Sequence, residues 1–216
     1  MKNHIKVRVP EQSGVAGVIT TRLMRPPKDN PVYLKLIEGK SLLDDLVEQG
    51  KRSAAHKLRL QLGGLMEDLH QMAEDSGWLH EKVVQHNLVV TTGLEAITKA
   101  LTTNLTTIDE VEINVAAVGS NTATPAAGDT TLGSEAFRQT ITSLNYASGV
   151  AYATMLIDYA DANATHYETG LFLDADDGVT DDGTLFNRAL LNSPTGVTKT
   201  SGEVLTISFQ ITFTAS

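Results

Sequence analysis

Leu205-Thr-Ile-Ser-Phe-Gln-Ile-Thr-Phe213 alternates without a break. Successive side chains of a strand point to opposite faces, so Leu205, Ile207, Phe209, Ile211 and Phe213 share one side. Threonine, serine and glutamine take the other. This reads as a strand of an antiparallel sheet with one core face and one wet face. Working back from it, extended segments recur at 184–191, 165–173, 150–159 and 140–146. Turn-forming residues separate them at 193–202, 174–183, 161–163 and 147–149. Short strands at roughly ten-residue spacing with turn chemistry between them predict a β-sandwich or a related barrel.

The N-terminal third is of mixed character. Ile5-Lys-Val-Arg-Val9 alternates, and residues 14–24 are rich in β-branched side chains, so both read as strands. Pro26-Pro27 and Asp29-Asn-Pro31 mark a turn, and Val32-Tyr-Leu-Lys-Leu-Ile37 reads as a third strand or an extended lead-in. From Gly39 the pattern becomes helical. Ser41 is placed as an N-cap, with Asp44 and Asp45 in the first turn of a helix ending at Gly50. A second helix is predicted from about 53 to 75. Its Leu58, Leu62, Leu65, Leu69 and Met72 form a seam of period 3.5, two heptads long. One reading packs this seam inside a helical hairpin, against Leu42 and Leu46; the other makes the five residues an interface between copies. A strand at 86–91 and an amphipathic helix at 92–101 follow. The expected organisation is N-terminal strands at 1–38, a helical hairpin at 39–77 and a β-sandwich at 78–216. The hairpin is read as an insertion into one mainly β, jelly-roll-like architecture, with a separate helical N-terminal domain as the alternative.

Composition narrows the function classes. The 216 residues carry a net charge of −9, which argues against a protein whose main task is gripping nucleic acid. Cysteine is absent, so thiol chemistry, disulfides and sulfur-ligated zinc are excluded. No apolar run has the length of a membrane span or the form of a leader, and the expectation is a soluble chain made in a cytoplasm.

Few residues suggest chemistry. The loop 174–183 gathers Asp174, Asp176, Asp177, Asp181 and Asp182 around two glycines. Oxygen ligands of this type suit Ca²⁺, although no glutamate closes the loop as in an EF-hand. The alternative is a solvated hairpin loop. Glu168 lies within an apolar strand, where a carboxylate facing the interior needs a cation; Arg138 and Arg188 are the candidates for a bidentate ion pair. Otherwise Glu168 lies on the exposed face of an alternating strand. The six histidines are scattered without metal-ligand spacing, and no nucleophile elbow or phosphate loop is present. No catalytic residue is assigned.

Taken in order, HNLVVTTGLEAITKAL (86–101), AVGSNTATPAAGDTTLGSE (117–135), Arg138, YETGLFLD (167–174), GTLFNR (183–188) and LTISFQITF (205–213) resemble a family of bacteriophage tail-associated proteins. The resemblance covers most of the C-terminal 130 residues. Ser120-Asn121 stands where that family has Gly-Thr, and the hairpin at 39–77 departs from it further. The resemblance implies a structural virion component in the tail, neck, baseplate or fibre, without catalysis. It would be made in a bacterial host's cytoplasm and assemble as a ring or trimer with itself and with other virion proteins. A capsid decoration protein, or a receptor- or glycan-binding tip using the acidic loop, are the alternatives.

Overall fold

The computed structural model describes residues 14–102 and 111–214. The strand expected at Ile5–Val9 lies outside them. The described chain begins with β1 (Gly14–Met24), followed by helices α1 (Pro31–Glu48) and α2 (Arg52–Ser76). Strand β2 (Leu79–Val89) and helix α3 (Thr91–Thr102) come next. Then follow β3 (Ile113–Gly119), β4 (Glu135–Thr140), β5 (Ser143–Ala147), β6 (Val150–Ile157), β7 (Thr165–His166) and β8 (Glu168–Leu173). The chain closes with β9 (Thr184–Leu190), β10 (Val197–Thr198) and β11 (Val204–Thr214).

The nine longer strands form one antiparallel sheet in the order β4-β3-β8-β9-β2-β1-β11-β6-β5. Two features curl it into a sandwich. Strand β2 pairs with β1 along Leu79–Asn87 but with β9 only at Leu88↔Arg188 and Val89↔Asn187, so the sheet folds over at that corner. The two edge strands, β4 and β5, are consecutive in the chain and joined by Ile141 and Thr142 alone. Ile141 N–H donates to Asn114 O of one half, and Thr142 N–H to Thr154 O of the other. Between the halves lies the main core, which includes Ile19, Met155, Leu171, Phe186, Ile207 and Phe209. The mainly β sandwich architecture expected from the alternation is present. In β11, Leu205, Ile207, Phe209 and Ile211 do face that core, while Phe213 is about half exposed.

The hairpin emerges between two strands that are sheet neighbours, β1 and β2, and its boundary differs from the expected one. Residues 32–37 are helical, not extended. The reason lies just upstream: Asn30 Oδ1 accepts from the N–H groups of Val32 and Tyr33, both at 3.0 Å, and Pro31 sits at the helix start. An asparagine cap followed by proline nucleates a helix that a short alternating run does not resist. Ser41, expected to cap, is an exposed residue within α1. Helix α1 buries Tyr33, Leu36 and Leu43 against α2 and the sheet.

The polar face of β11 is not simply wet. Helix α2 lies across it, and Thr206 is fully buried. His70 Nε2 lies 2.9 Å from Thr206 Oγ1. Burial, assisted by Arg22 and Lys82, lowers the His70 ring to about 3, so it is neutral at ordinary pH.

Candidate functional site

The residues singled out in the sequence fall into three groups, and the fold treats each differently. Strand β8 is buried on both faces. Leu171 and Leu173 point into the main core, whereas Phe172 belongs to a second cluster with Val115, Ala117, Leu132 and Leu185 on the outer side. Glu168 and Gly170 share that outer side with Phe172 by strand alternation. The connection 120–134, which joins the paired strands β3 and β4, closes over it through Leu132.

Glu168 is 0% exposed, so its exposed-face alternative does not hold. Its Oε1 accepts from Ser134 N–H (2.8 Å) and Asn121 N–H (3.2 Å), and its Oε2 from Gly133 N–H (3.0 Å). One carboxylate thus takes the backbone at both ends of the 120–134 loop. Arg188 completes the charge balance. Its Nε and Nη2 both reach Glu168 Oε2, at 2.8 and 2.7 Å, so the pair shares one oxygen and is not the two-oxygen fork expected. Arg188 Nη1 donates to Asp129 Oδ2 at 2.7 Å, and Nη2 to Ala123 O at 3.2 Å. Burial pushes the Asp129 carboxyl up, but the Ala126 N–H and Arg188 outweigh it and hold it below the usual range. Burial likewise works against the charge on Arg188, and Asp129 and Glu168 reverse that, raising its hold on the proton.

Two glycines of the quoted stretch make this geometry possible by close approach. A Cβ on Gly119 would lie 2.4 Å from Ser134 O and 2.6 Å from Glu168 Oε1. A Cβ on Gly133 would lie 2.0 Å from the Asn121 amide. A side chain at Gly119 would push the loop off the carboxylate, and one at Gly133 would displace the Asn121 side chain.

Arg138 does not join Glu168, which corrects that expectation. It pairs with Glu135 through two parallel bonds, Nε to Oε1 at 2.6 Å and Nη2 to Oε2 at 2.8 Å. Its remaining nitrogen, Nη1, donates to the carbonyls of Asp176 and Asp182, and the guanidinium lies 4.8 Å from the Phe172 ring centre. Arg138 therefore anchors the acidic loop 174–183. Within that loop the carboxylates turn toward backbone and hydroxyl donors. Asp177 Oδ2 accepts from Thr140 N–H and Oγ1–H, Asp182 Oδ2 from Asp176 N–H, and Asp176 Oδ1 from Gly178 N–H. Asp174 and Asp181 adopt positive φ, as turn residues. Among the described residues, no three acidic or histidine side chains converge as a metal group.

The heptad seam is internal. Leu62 and Leu69 are fully buried beneath α1, and Leu58 and Leu65 pack partly against the same cluster. Met72 is half-buried. The seam thus packs mainly within the hairpin, although Leu42, expected against it, is about half exposed, and Leu62 and Leu69 are too deeply buried to meet another copy. The stripe that α2 buries, Ala55, Arg59, Leu62, Met66, Leu69 and Ala73, is rotated from the predicted one. Arg59 enters it because Glu112 waits 2.7 Å away. Gly63 answers a second question raised by the sequence: a Cβ there would sit 2.7 Å from Ser143 Oγ, where the helix passes over β5.

The sequence reading missed Asp129 and Glu135 as the acids that complete the two arginine anchors. It also missed Glu203, buried and bonded by Arg25, His80 and Thr200, and Lys199, whose buried ammonium donates to the Asp161 carbonyl and Asn163 Oδ1. No spacing rule connects such partners, which lie on different strands and loops. Comparison of the chain with family models, with curated proteins and with solved structures finds no match in any of the three.

Proposed function

We propose that this chain is a structural component of a tailed-bacteriophage virion, acting by protein–protein assembly in the tail, neck, baseplate or fibre. One observation carries the reading. The residues that define the resemblance, Gly119, Gly133, Glu135, Arg138, Glu168 and Arg188, converge on holding two loops rigid over one face of the sandwich. Each polar group among them is matched by a backbone or side-chain partner, the arrangement of a scaffold that fixes surface shape. A loop with its ordering entropy already lost on folding binds a neighbour at lower cost. In this reading the 120–134 and 174–183 loops form the contact surface, and rings or trimers present it repeatedly.

The test uses antibodies against the whole chain on particles purified from the bacterium that carries the sequence. Gold label at one recurrent position on the tail, neck or baseplate supports the proposal. Label spread over the capsid favours a decoration protein. Protein abundant in the lysate but missing from purified particles overturns the virion reading.

A further inference from the structure

Between α2 and the outer face of the sheet runs a groove of about 640 Å³. Its floor is the polar side of β1, β6 and β11, with Thr20, Thr154, Ser208 and Gln210, and Tyr152 stands at one end, 41% exposed. Its roof is helical, and Gly63-Gly64 leave that flank of α2 without side chains. Gly63 is needed for the approach to β5, but a Cβ on Gly64 would meet nothing within 4 Å. The second glycine therefore keeps space open, in a helix interior where glycine is unfavourable.

Arg22 lines the groove. Its Nε is buried without a hydrogen-bond partner, and burial outweighs the nearby Glu74 carboxylate, which itself pairs with Lys82 at 2.6 Å. Arg138 and Arg188, by contrast, are each hydrogen-bonded to a carboxylate. His70, also in the lining, is neutral and occupied by Thr206. The groove thus holds one planar cation with no carboxylate hydrogen-bonded to it; Nε is covered by protein, and the Nη end of the guanidinium is what a ligand carboxylate would meet. Around it are hydroxyls and amides that both donate and accept, Glu67, which accepts, and a half-exposed aromatic ring. The volume lies within the usual range for small-ligand sites.

We infer that this groove binds an acidic saccharide, its carboxylate on Arg22, its hydroxyls on the Thr/Ser/Gln floor and its ring against Tyr152. The inference goes beyond the assembly reading and does not depend on it, since the groove lies on the half of the sandwich away from the clamped loops. It gives the protein a recognition role toward anionic glycans.

The probe is glucuronic acid, titrated into the full chain by calorimetry, with glucose and acetate as comparisons. The expected result is saturable binding of glucuronate, with both comparisons weaker by about tenfold or more, as expected for losing either the charge-assisted pair or the hydroxyl contacts. Arg22→Met, which removes no ion pair, should fold and lose glucuronate binding. Gly64→Leu, which projects into open space, should keep the fold and block the groove; it serves as the test if Arg22→Met does not fold. Binding that persists in the variants overturns the site. Glucose binding as tightly as glucuronate overturns the role of Arg22. Acetate binding as tightly overturns the saccharide and leaves a bare carboxylate site, as for an acidic side chain of a neighbouring protein. Failure of glucuronate to bind the wild-type chain overturns the proposal outright.

Discussion

The two halves of the sandwich treat their arginines differently. Over β3, β8 and β9, the charges are enclosed and matched: Glu168 with Arg188, Asp129 with Arg188, Glu135 with Arg138. Over β1, β6 and β11, the hairpin covers a hydroxyl-rich face but leaves Arg22 Nε without a partner. Fully matched burial specifies a single loop conformation, while partly matched burial leaves binding capacity. An ion pair in the interior contributes little net stability against an apolar replacement, but removing one partner is costly. The clamped half should therefore be brittle and the hairpin half tolerant of polar change.

The comparison breaks most visibly at Glu168. Glu168→Ala strands the buried Arg188 and three backbone N–H groups, and urea titration should show a loss of about 3–5 kcal/mol. A loss below about 1 kcal/mol would mean that the network is solvated and that the two halves do not differ.

Next is the apolar packing beneath the hairpin. Leu69, fully buried, should cost about 2–5 kcal/mol as Leu69→Ala in the same titration. If the hairpin is integral to the fold, the transition stays single; a separate early transition would mark α1 and α2 as an independently melting unit.

Acid sharpens the contrast through two groups. His70 has its folded value lowered from 6.5 to about 3, so the unfolded chain takes its proton first. Its contribution is complete above pH 6.5 and falls by about 1.4 kcal/mol per pH unit below that, until about pH 3. Glu203 is pushed up by burial but brought to about 2 by hydrogen bonds from Thr200, Arg25 and His80. Its contribution is present above its ordinary value of 4.5 and is lost as pH falls toward 2. A melting series from pH 7 to pH 4 should therefore fall mainly through His70. His70→Gln should flatten it, and an unchanged slope would show that the ring titrates normally.

The smallest effect is at the helix start. Asn30→Ala removes the acceptor for Val32 and Tyr33 and should cost about 1 kcal/mol. No change in the melting midpoint would deny the cap its role in turning residues 32–37 from strand to helix.

What was legible in the sequence follows the physics of local pattern. The alternation of β11, the turns around Ser148-Gly149 and the helix at 92–101 are each encoded within a few residues, and each is present. Residues 32–37 were misread because a period-two run of six side chains carries less weight than the Asn30-Pro31 cap beside it. The heptad seam was real as periodicity, but its register against α1 depended on Glu112 receiving Arg59, from a different part of the chain. Glu168 and Arg188 were both visible as ion-pair candidates. Assigning Arg138 to Glu135 instead required knowing that the acidic loop passes close enough for its carbonyls to accept from the guanidinium. The unpaired Arg22 left no signature, because an unmet partner is a property of the whole fold.

Hydrogen exchange at single residues tests the central claim most directly, that Glu168 holds the 120–134 loop as a rigid surface. The amides of Gly133 and Ser134 lie in a loop yet donate to a buried carboxylate. They should exchange as slowly as those of β3 in the wild-type chain, and much faster in Glu168→Gln while β11 stays protected. Exchange at exposed-loop rates in the wild-type chain would contradict the account.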